Sequence, residues 1–318
     1  MALTLSTAQI LDLVMDAFKV RLPFLVTAFA TDFSDEKAKL GQTVTARIAG
    51  LPTVQDYDAT TGYKANAAES KTLMNDVPVV INRHKHVPIK LDFLDAASTV
   101  SQIKLLEEST MNCGYVLAKS MADYCLSLVL AANFSQVSTF TAANSDLDML
   151  ANIREDLNAV GASTLGRFGI VGSGVMTTLT TDSRVASGDY YGQRIGAEAL
   201  GHLQGIQGFA DIWEYPDMPA NAHNLIGFFG TKESIVLATR VPTDANEIAR
   251  AAGIPQIASF ETLTDEDTGL TLLGIKWVET GTFDVYCTVA VMYGAVAGSQ
   301  GGDAGDKTDY AGHRLVSA

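Results

Sequence analysis

Two histidines stand two residues apart in "VVINRHKHVPIKLDF", Val79 to Phe93. On a strand, positions i and i+2 share a face, so His84 and His86 would present their imidazoles side by side. That is half of a zinc site, which needs three or four ligands. No further ligand falls in step with them. His202, His223 and His313 stand alone in the sequence, and Asp92 and Asp95 would point farther along or off the strand. The pair reads as solvated strand histidines flanked by Arg83 and Lys85, with no metal.

Other candidate chemistry is equally thin. "GIVGSG" (169–174) is neither GxGxxG nor GxxxxGK[ST], and no lysine follows to meet a phosphate. It reads as a tight strand-to-helix turn. Ser173 lacks the G-x-S-x-G frame of a nucleophile elbow. "TDEDTG" (264–269) is a solvated, turn-like loop without the further acidic ligands of a calcium loop. Cys113, Cys125 and Cys287 are odd in number and widely spaced, which suits reduced thiols better than disulfides. No catalytic, cofactor-binding or metal residue is expected, and so no enzyme.

The bulk properties point the same way. Of the 318 residues, 47% are hydrophobic and only 18% charged, so much of the chain must be buried in a core or against partners. A net charge of −14 repels phosphates, and the scattered Lys and Arg form no basic patch for nucleic acid. "MALTLSTAQILDLVMDAF" has neither the basic start nor the unbroken apolar run of a signal peptide. No stretch approaches the length needed to cross a bilayer. A soluble chain, intracellular when made, is expected.

Elements must position these residues. Ser6 and Gln9 have capping-box spacing, and Ile10, Leu13, Val14, Ala17 and Phe18 form a helical stripe. Pro23 and "TDFSDEKAKLG" (31–41) then break regularity, leaving a short helix on an arm. "TVTARIAGL" (43–51) and "DVPVVINRHKHVPIKLDF" (76–93) read as the strands of a projecting hairpin, with Pro78 and Pro88 favouring an edge. Its tip, Asp56 to Lys71, is polar and turn-rich, with Tyr57 and Tyr63 the large side chains available as contact anchors. Two helices follow, 99–110 and 111–134, the second with Leu117, Met121, Tyr124, Cys125 and Leu128 on its buried face. A third, 145–160, is capped by Asn144 or Ser145 and by Gly161. "RFGIVGSG" (167–174) is a buried strand and turn. Strand segments at 208–219 and 224–242 precede a β close at 269–280 and 283–298, and the final twenty residues read as frayed.

This order of parts resembles the major capsid protein of tailed bacteriophages, the Hong Kong 97 fold. It is similar in particular to the short-tailed-phage coat protein branch, on "VVINRHKHVPIKLDFLD" and on "GRFGIVGSGVMTTLTTDSR", "GIQGFADIWEYPDMP", "NLIGFFGTKESIVLATR" and "FDVYCTVAVMYGAVA". The resemblance implies an α+β fold. Its parts would be an N-terminal arm (1–42), an extended β-hairpin loop (43–95) and a peripheral domain with a long spine helix (96–189). An axial domain (190–265) and a β return with a tail (266–318) would complete it. It leaves no room for the large inserted domain of some members. It implies pentamers and hexamers of the chain around double-stranded DNA, in a virion assembled in the host cytoplasm. Scaffolding, portal or decoration proteins would be further partners, with no membrane and no cofactor. Tyr57, Tyr63, Arg83, His84, Lys85 and His86 would be intersubunit contacts on the loop. An encapsulin-type shell around enzyme cargo, or a metal-dependent enzyme using the histidine pair, are the alternatives.

Overall fold

The computed structural model describes residues 6–49, 57, 59–60, 74–91, 100–141, 147–182, 201–221, 224–242, 258–278, 285–298 and 312–318. They fall into two units. The first comprises Met1–Val44, Val79–Leu126 and Val236–Val296, and the second Thr45–Pro78, Ser127–Ile235 and Ala297–Ala318.

In the first unit, α1 (Thr7–Arg21) opens on the capping box read from the sequence: Gln9 N donates to Ser6 Oγ at 3.2 Å and Ser6 N to Gln9 Oε1 at 2.9 Å. Its buried stripe is wider than the expected one, since Leu11 and Met15 join Ile10, Val14, Ala17 and Phe18 while Leu13 is half-buried. Gly274 of β12 (Thr271–Val278) makes room for it, because a Cβ there would stand 2.9 Å from Thr7 Cγ2 and 3.0 Å from Leu11 Cδ1. On α3 (Val100–Ser127), a Cβ at Gly114 would strike the Val14 carbonyl oxygen, so the two helices meet almost backbone to backbone. The helix thus packs tightly within this unit. At its end Lys19 Nζ donates to Asp265 Oδ1 at 2.6 Å. Burial alone would raise the Asp265 carboxyl, but the bonds from Lys19 and Thr268 hold it below its usual range. "TDEDTG" is therefore anchored at its first carboxylate, where a solvated loop was expected.

A sheet lies under α1, in the order β1 (Ala30–Ala38), β10 (Ile235–Pro242), β13 (Val285–Ala297), β12, β11 (Ala258–Thr264), with β4 (Arg83–Leu91) also on β13. β1 (Ala30–Ala38) comes from the segment expected to be irregular, and it runs parallel to β10 (Ile235–Pro242). Its polar side chains are used: Arg240, buried on β10, donates to Asp32 O and Asp32 Oδ2, both at 2.9 Å, with Glu36 Oε2 at 3.7 Å. β13 (Val285–Ala297) is the long central strand, and β11 (Ala258–Thr264) pairs with β12 around the Asp265 turn. After α1 comes a single helical turn, α2 (Phe24–Thr27).

Two further expectations are corrected here. The residues read as two helices form one, because nothing between 110 and 111 interrupts the periodicity. That helix stops at Ser127 instead of 134, leaving Leu128 half-buried beyond its end while Met121 and Cys125 are fully buried. The run 76–93 is likewise not one hairpin strand. β3 (Met74–Val80) pairs with β2 (Thr43–Ala49) in a two-stranded ladder, and after Ile81 and Asn82 the chain continues as β4 (Arg83–Leu91), antiparallel to β13.

The second unit is built on a sheet ordered β5-β14-β9-β6-β8-β7. These are β5 (Val137–Phe140), β6 (Phe168–Val171), β7 (His202–Ile206), β8 (Phe209–Glu214), β9 (Leu225–Gly230) and β14 (Gly312–Ser317). On one face, Leu150, Ile153 and Leu157 of α4 (Leu147–Ala159) and Val175, Met176 and Leu179 of α5 (Ser173–Thr181) join Ile212, Phe229 and Leu315 in one apolar cluster. On the other, Phe228 packs edge-on to Phe134 and Phe168, at 4.9 and 5.9 Å between ring centroids. Gly161 follows α4 at φ 71, a conformation glycine adopts without strain, and Ala162 N closes the helix onto Leu157 O. The N-cap positions Asn144 and Ser145 lie outside the described residues. "GIVGSG" does turn from a buried strand into a helix, with Gly172 as N-cap.

The expected frayed tail is corrected over its last residues, 299–311 lying outside the described residues. Residues 312–317 form β14, seated between β5 and β9 with His313 and Leu315 fully buried. Gly312 packs where a Cβ would lie 2.6 Å from Phe134 Cδ1, and Arg314 Nε donates to Phe134 O at 2.7 Å. Two of its polar side chains find partners inside this unit, Arg314 at the Phe134 carbonyl and His313 Nε2 at the Ser138 hydroxyl. The segment 190–265 supplies β7, β8 and β9 to this unit and β10 and β11 to the first.

Candidate intersubunit surface

β4 carries most of the contact residues read from the sequence. Its register on β13 sets Arg83 opposite Tyr293, His84 opposite Met292, Lys85 opposite Val291 and His86 opposite Ala290. Side chains alternate along a strand, so His84 and His86 do share one face, together with Pro88 and Lys90, and all four are exposed. Arg83 and Lys85 share the other with Val87 and Ile89, which sinks from exposed at Arg83 to buried at Ile89. Among the described residues, β13 is the one strand that β4 pairs with.

One end of β4 is clamped to α3. Asn82 Nδ2 donates to Tyr124 Oη at 2.7 Å, and the Arg83 guanidinium lies over the Tyr124 ring, 5.0 Å from its centroid. Such a cation–π contact contributes ~0.5–1 kcal/mol at a partly exposed site. Tyr124 in turn meets Tyr293 of β13 edge-on at 5.8 Å, and the Tyr293 hydroxyl donates to Ser120 O at 3.1 Å. Arg83 is therefore engaged within its own unit, whereas His84, Lys85 and His86 project from it. Sequence reading missed the Tyr293–Ser120 half of this clamp, because nothing local ties residues so distant in the chain.

Partial desolvation and then the charge of His86 push the His84 imidazole below its ordinary pKa. Among the described residues no group of three His, Cys, Asp or Glu comes together to hold a metal ion. Two histidines read as standing alone have partners. His202 Nε2 lies 2.8 Å from Asp211 Oδ1 with its ring stacked on Trp213, and His313 Nε2 lies 2.9 Å from Ser138 Oγ with Asp156 Oδ2 3.4 Å from Nδ1. His223 lies outside the described residues. Cys125 and Cys287 are buried and Cys113 is half-buried; burial pushes all three thiols up, away from the reactive thiolate.

Tyr57 is 64% exposed, and Tyr63 lies outside the described residues. The hairpin's described strands carry one exposed ion pair, Arg47 Nε to Asp76 Oδ1 at 3.3 Å, which adds little to stability. Among the described residues no helix is long and apolar enough to cross a membrane.

This architecture has a counterpart. A chain in the capsid structure of the cyanophage P-SCSP1u aligns with a TM-score of 0.51, over 91% of this chain and 86% of that one, at 14% identity. The fold is that of a phage capsid chain. Chains of the bacteriophage PhiM1 mature capsid (TM-score 0.49, 12% identity, 91% and 85% covered) and of Mycobacterium phage Cain (0.46, 15%, 99% and 99%) are also similar. No protein-family model matches the sequence, and no curated protein matches it. The α+β architecture and the likeness to capsid proteins read from the sequence therefore meet in the fold.

Proposed function

We propose that this chain is the major coat subunit of an icosahedral tailed-phage capsid of the Hong Kong 97 type, self-assembling into pentamers and hexamers that enclose double-stranded DNA. The observation that carries the reading is the likeness to a cyanophage capsid chain, which extends over 91% of this chain and so concerns the whole architecture. In this reading residues 1–42 are the arm, 43–95 the extended loop and 96–189 the peripheral domain with α3 as its spine. Residues 190–265 are the axial domain and 266–318 the β return. The role is structural, without catalysis or cofactor. The subunit resides in the virion after assembly in the host cytoplasm, and scaffolding, portal or decoration proteins are the further partners the reading allows.

Tyr57, Tyr63, His84, Lys85 and His86 are the proposed contacts to neighbouring copies, with Arg83 contributing mainly by fixing β4 on Tyr124. A net charge of −14 suits a shell whose lining does not grip packed DNA. Electron microscopy of the concentrated protein tests the proposal. Closed shells, or rings of five and six, are expected; a species that stays monomeric across salt and scaffold conditions overturns it.

A further inference from the structure

The second unit holds an arginine with no carboxylate. Arg167 is 2% exposed, and among the described residues its bonds go to main-chain carbonyls and one side-chain amide. Nε donates to Ser163 O at 2.7 Å, Nη2 to Asn158 Oδ1 at 2.7 Å and Ala162 O at 2.9 Å, and Nη1 to Arg154 O at 3.4 Å. Burying a guanidinium is costly unless its donors find acceptors; here two of the four bonds go to the loop between α4 and β6, at Ala162 and Ser163, and two to α4 itself. Within that loop Ser163 Oγ accepts from Leu165 N at 3.2 Å, and Gly166 stands at φ 69. The product of this bracing is a leucine 83% exposed to solvent.

An exposed leucine alone means nothing. What marks this one is the rigid mount, which removes in advance the ordering cost that a contact would otherwise meet. Its neighbour is also fixed. Ala210 N donates to Arg167 O at 2.7 Å, and Arg154 Nη1 reaches Gln207 O at 3.5 Å. The β7–β8 turn and the Leu165 loop therefore sit at one end of the sheet with the exposed Arg154 between them. Residues 160–166 contain no carboxylate. Copies of a chain with net charge −14 repel one another, so they must meet where the surface is apolar or positive.

We propose that Leu165 is a fixed apolar contact that seats against a second copy of this chain; the proposal rests on the capsid reading. The full-length protein tests it through two variants. Leu165→Asp is expected to melt with the parent, since the side chain is almost wholly exposed, yet to yield at least tenfold fewer assembled particles by sedimentation. Leu165→Cys, which leaves the loop uncharged, is expected to react with maleimide in dissociated subunits and at least tenfold more slowly in shells, with the parent as blank. Parent-like yield from Leu165→Asp, or equal labelling of Leu165→Cys in shells and subunits, overturns this inference and leaves the capsid reading standing. A parent that never assembles overturns both.

Discussion

β4 and β14 are written in the same alphabet. One begins Arg-His-Lys-His and the other Gly-His-Arg, yet their histidines meet opposite fates. His84 and His86 face solvent on a strand paired only with β13 among the described residues, whereas His313 is fully buried in a strand flanked on both sides by β5 and β9. What covers the face decides the outcome, not residue type or pairing alone: Ile89 is buried on β4, while Val278 is 45% exposed on β12 between β13 and β11. On the flanked strand, desolvation wins and pushes His313 down to about 4, with Arg314 adding repulsion. Asp156, 3.4 Å away and 41% exposed, does not reverse this. On the singly paired strand His84, Lys85 and His86 stay exposed.

The contrast can be tested most severely at Leu315, which is fully buried. Leu315→Ala should cost about 2–5 kcal/mol by transfer and cavity terms, measured by urea unfolding. A loss as small as that of a β4 surface variant would mean that β14 is not seated in the core.

Acid should separate the strands next. The unfolded chain binds a proton on His313 near pH 6.5, while the fold resists it until about 4. Stability from this group is therefore full above about pH 6.5 and falls as the pH drops towards 4, by up to about 3 kcal/mol. His313→Gln keeps an amide for Ser138 and should flatten that part of the stability–pH curve. An unchanged slope in the variant would assign the acid sensitivity to other groups.

The smallest effect is expected on β4. Replacing His84 and His86 together by Gln should shift stability by less than about 0.5 kcal/mol and leave metal content at background. About one zinc per chain, lost in the variant, would instead restore the pair as ligands.

Legibility in the sequence followed the range of the signals. The capping box of α1, the α4 helix ended by Gly161, and the buried β6 turn are all set by residues within a few positions of each other. β1 and β14 escaped because their polar residues are matched by partners about two hundred positions away, Asp32 by Arg240 and Arg314 by the Phe134 carbonyl. The split of 76–93 into β3 and β4 was hidden for the same cause, since β-type composition does not say which strand will be the neighbour. His84 and His86 were correctly placed on one face, because that needs only the strand period. The clamp of Arg83 on Tyr124 depended on where α3 passes, which no local pattern encodes.

β14 also sets an order of events in the making of the protein. Until residues 312–317 leave the ribosome, β5 and β9 each present a bare backbone edge with no strand between them. Pairings between such distant segments are slow to close, and unfilled edges invite pairing with other nascent chains. The half-made chain should therefore be at its stickiest just before synthesis reaches this strand, whose arrival joins β5 to β9 in one continuous sheet. High-level, rapid translation should thus be the condition under which this protein most needs a chaperone.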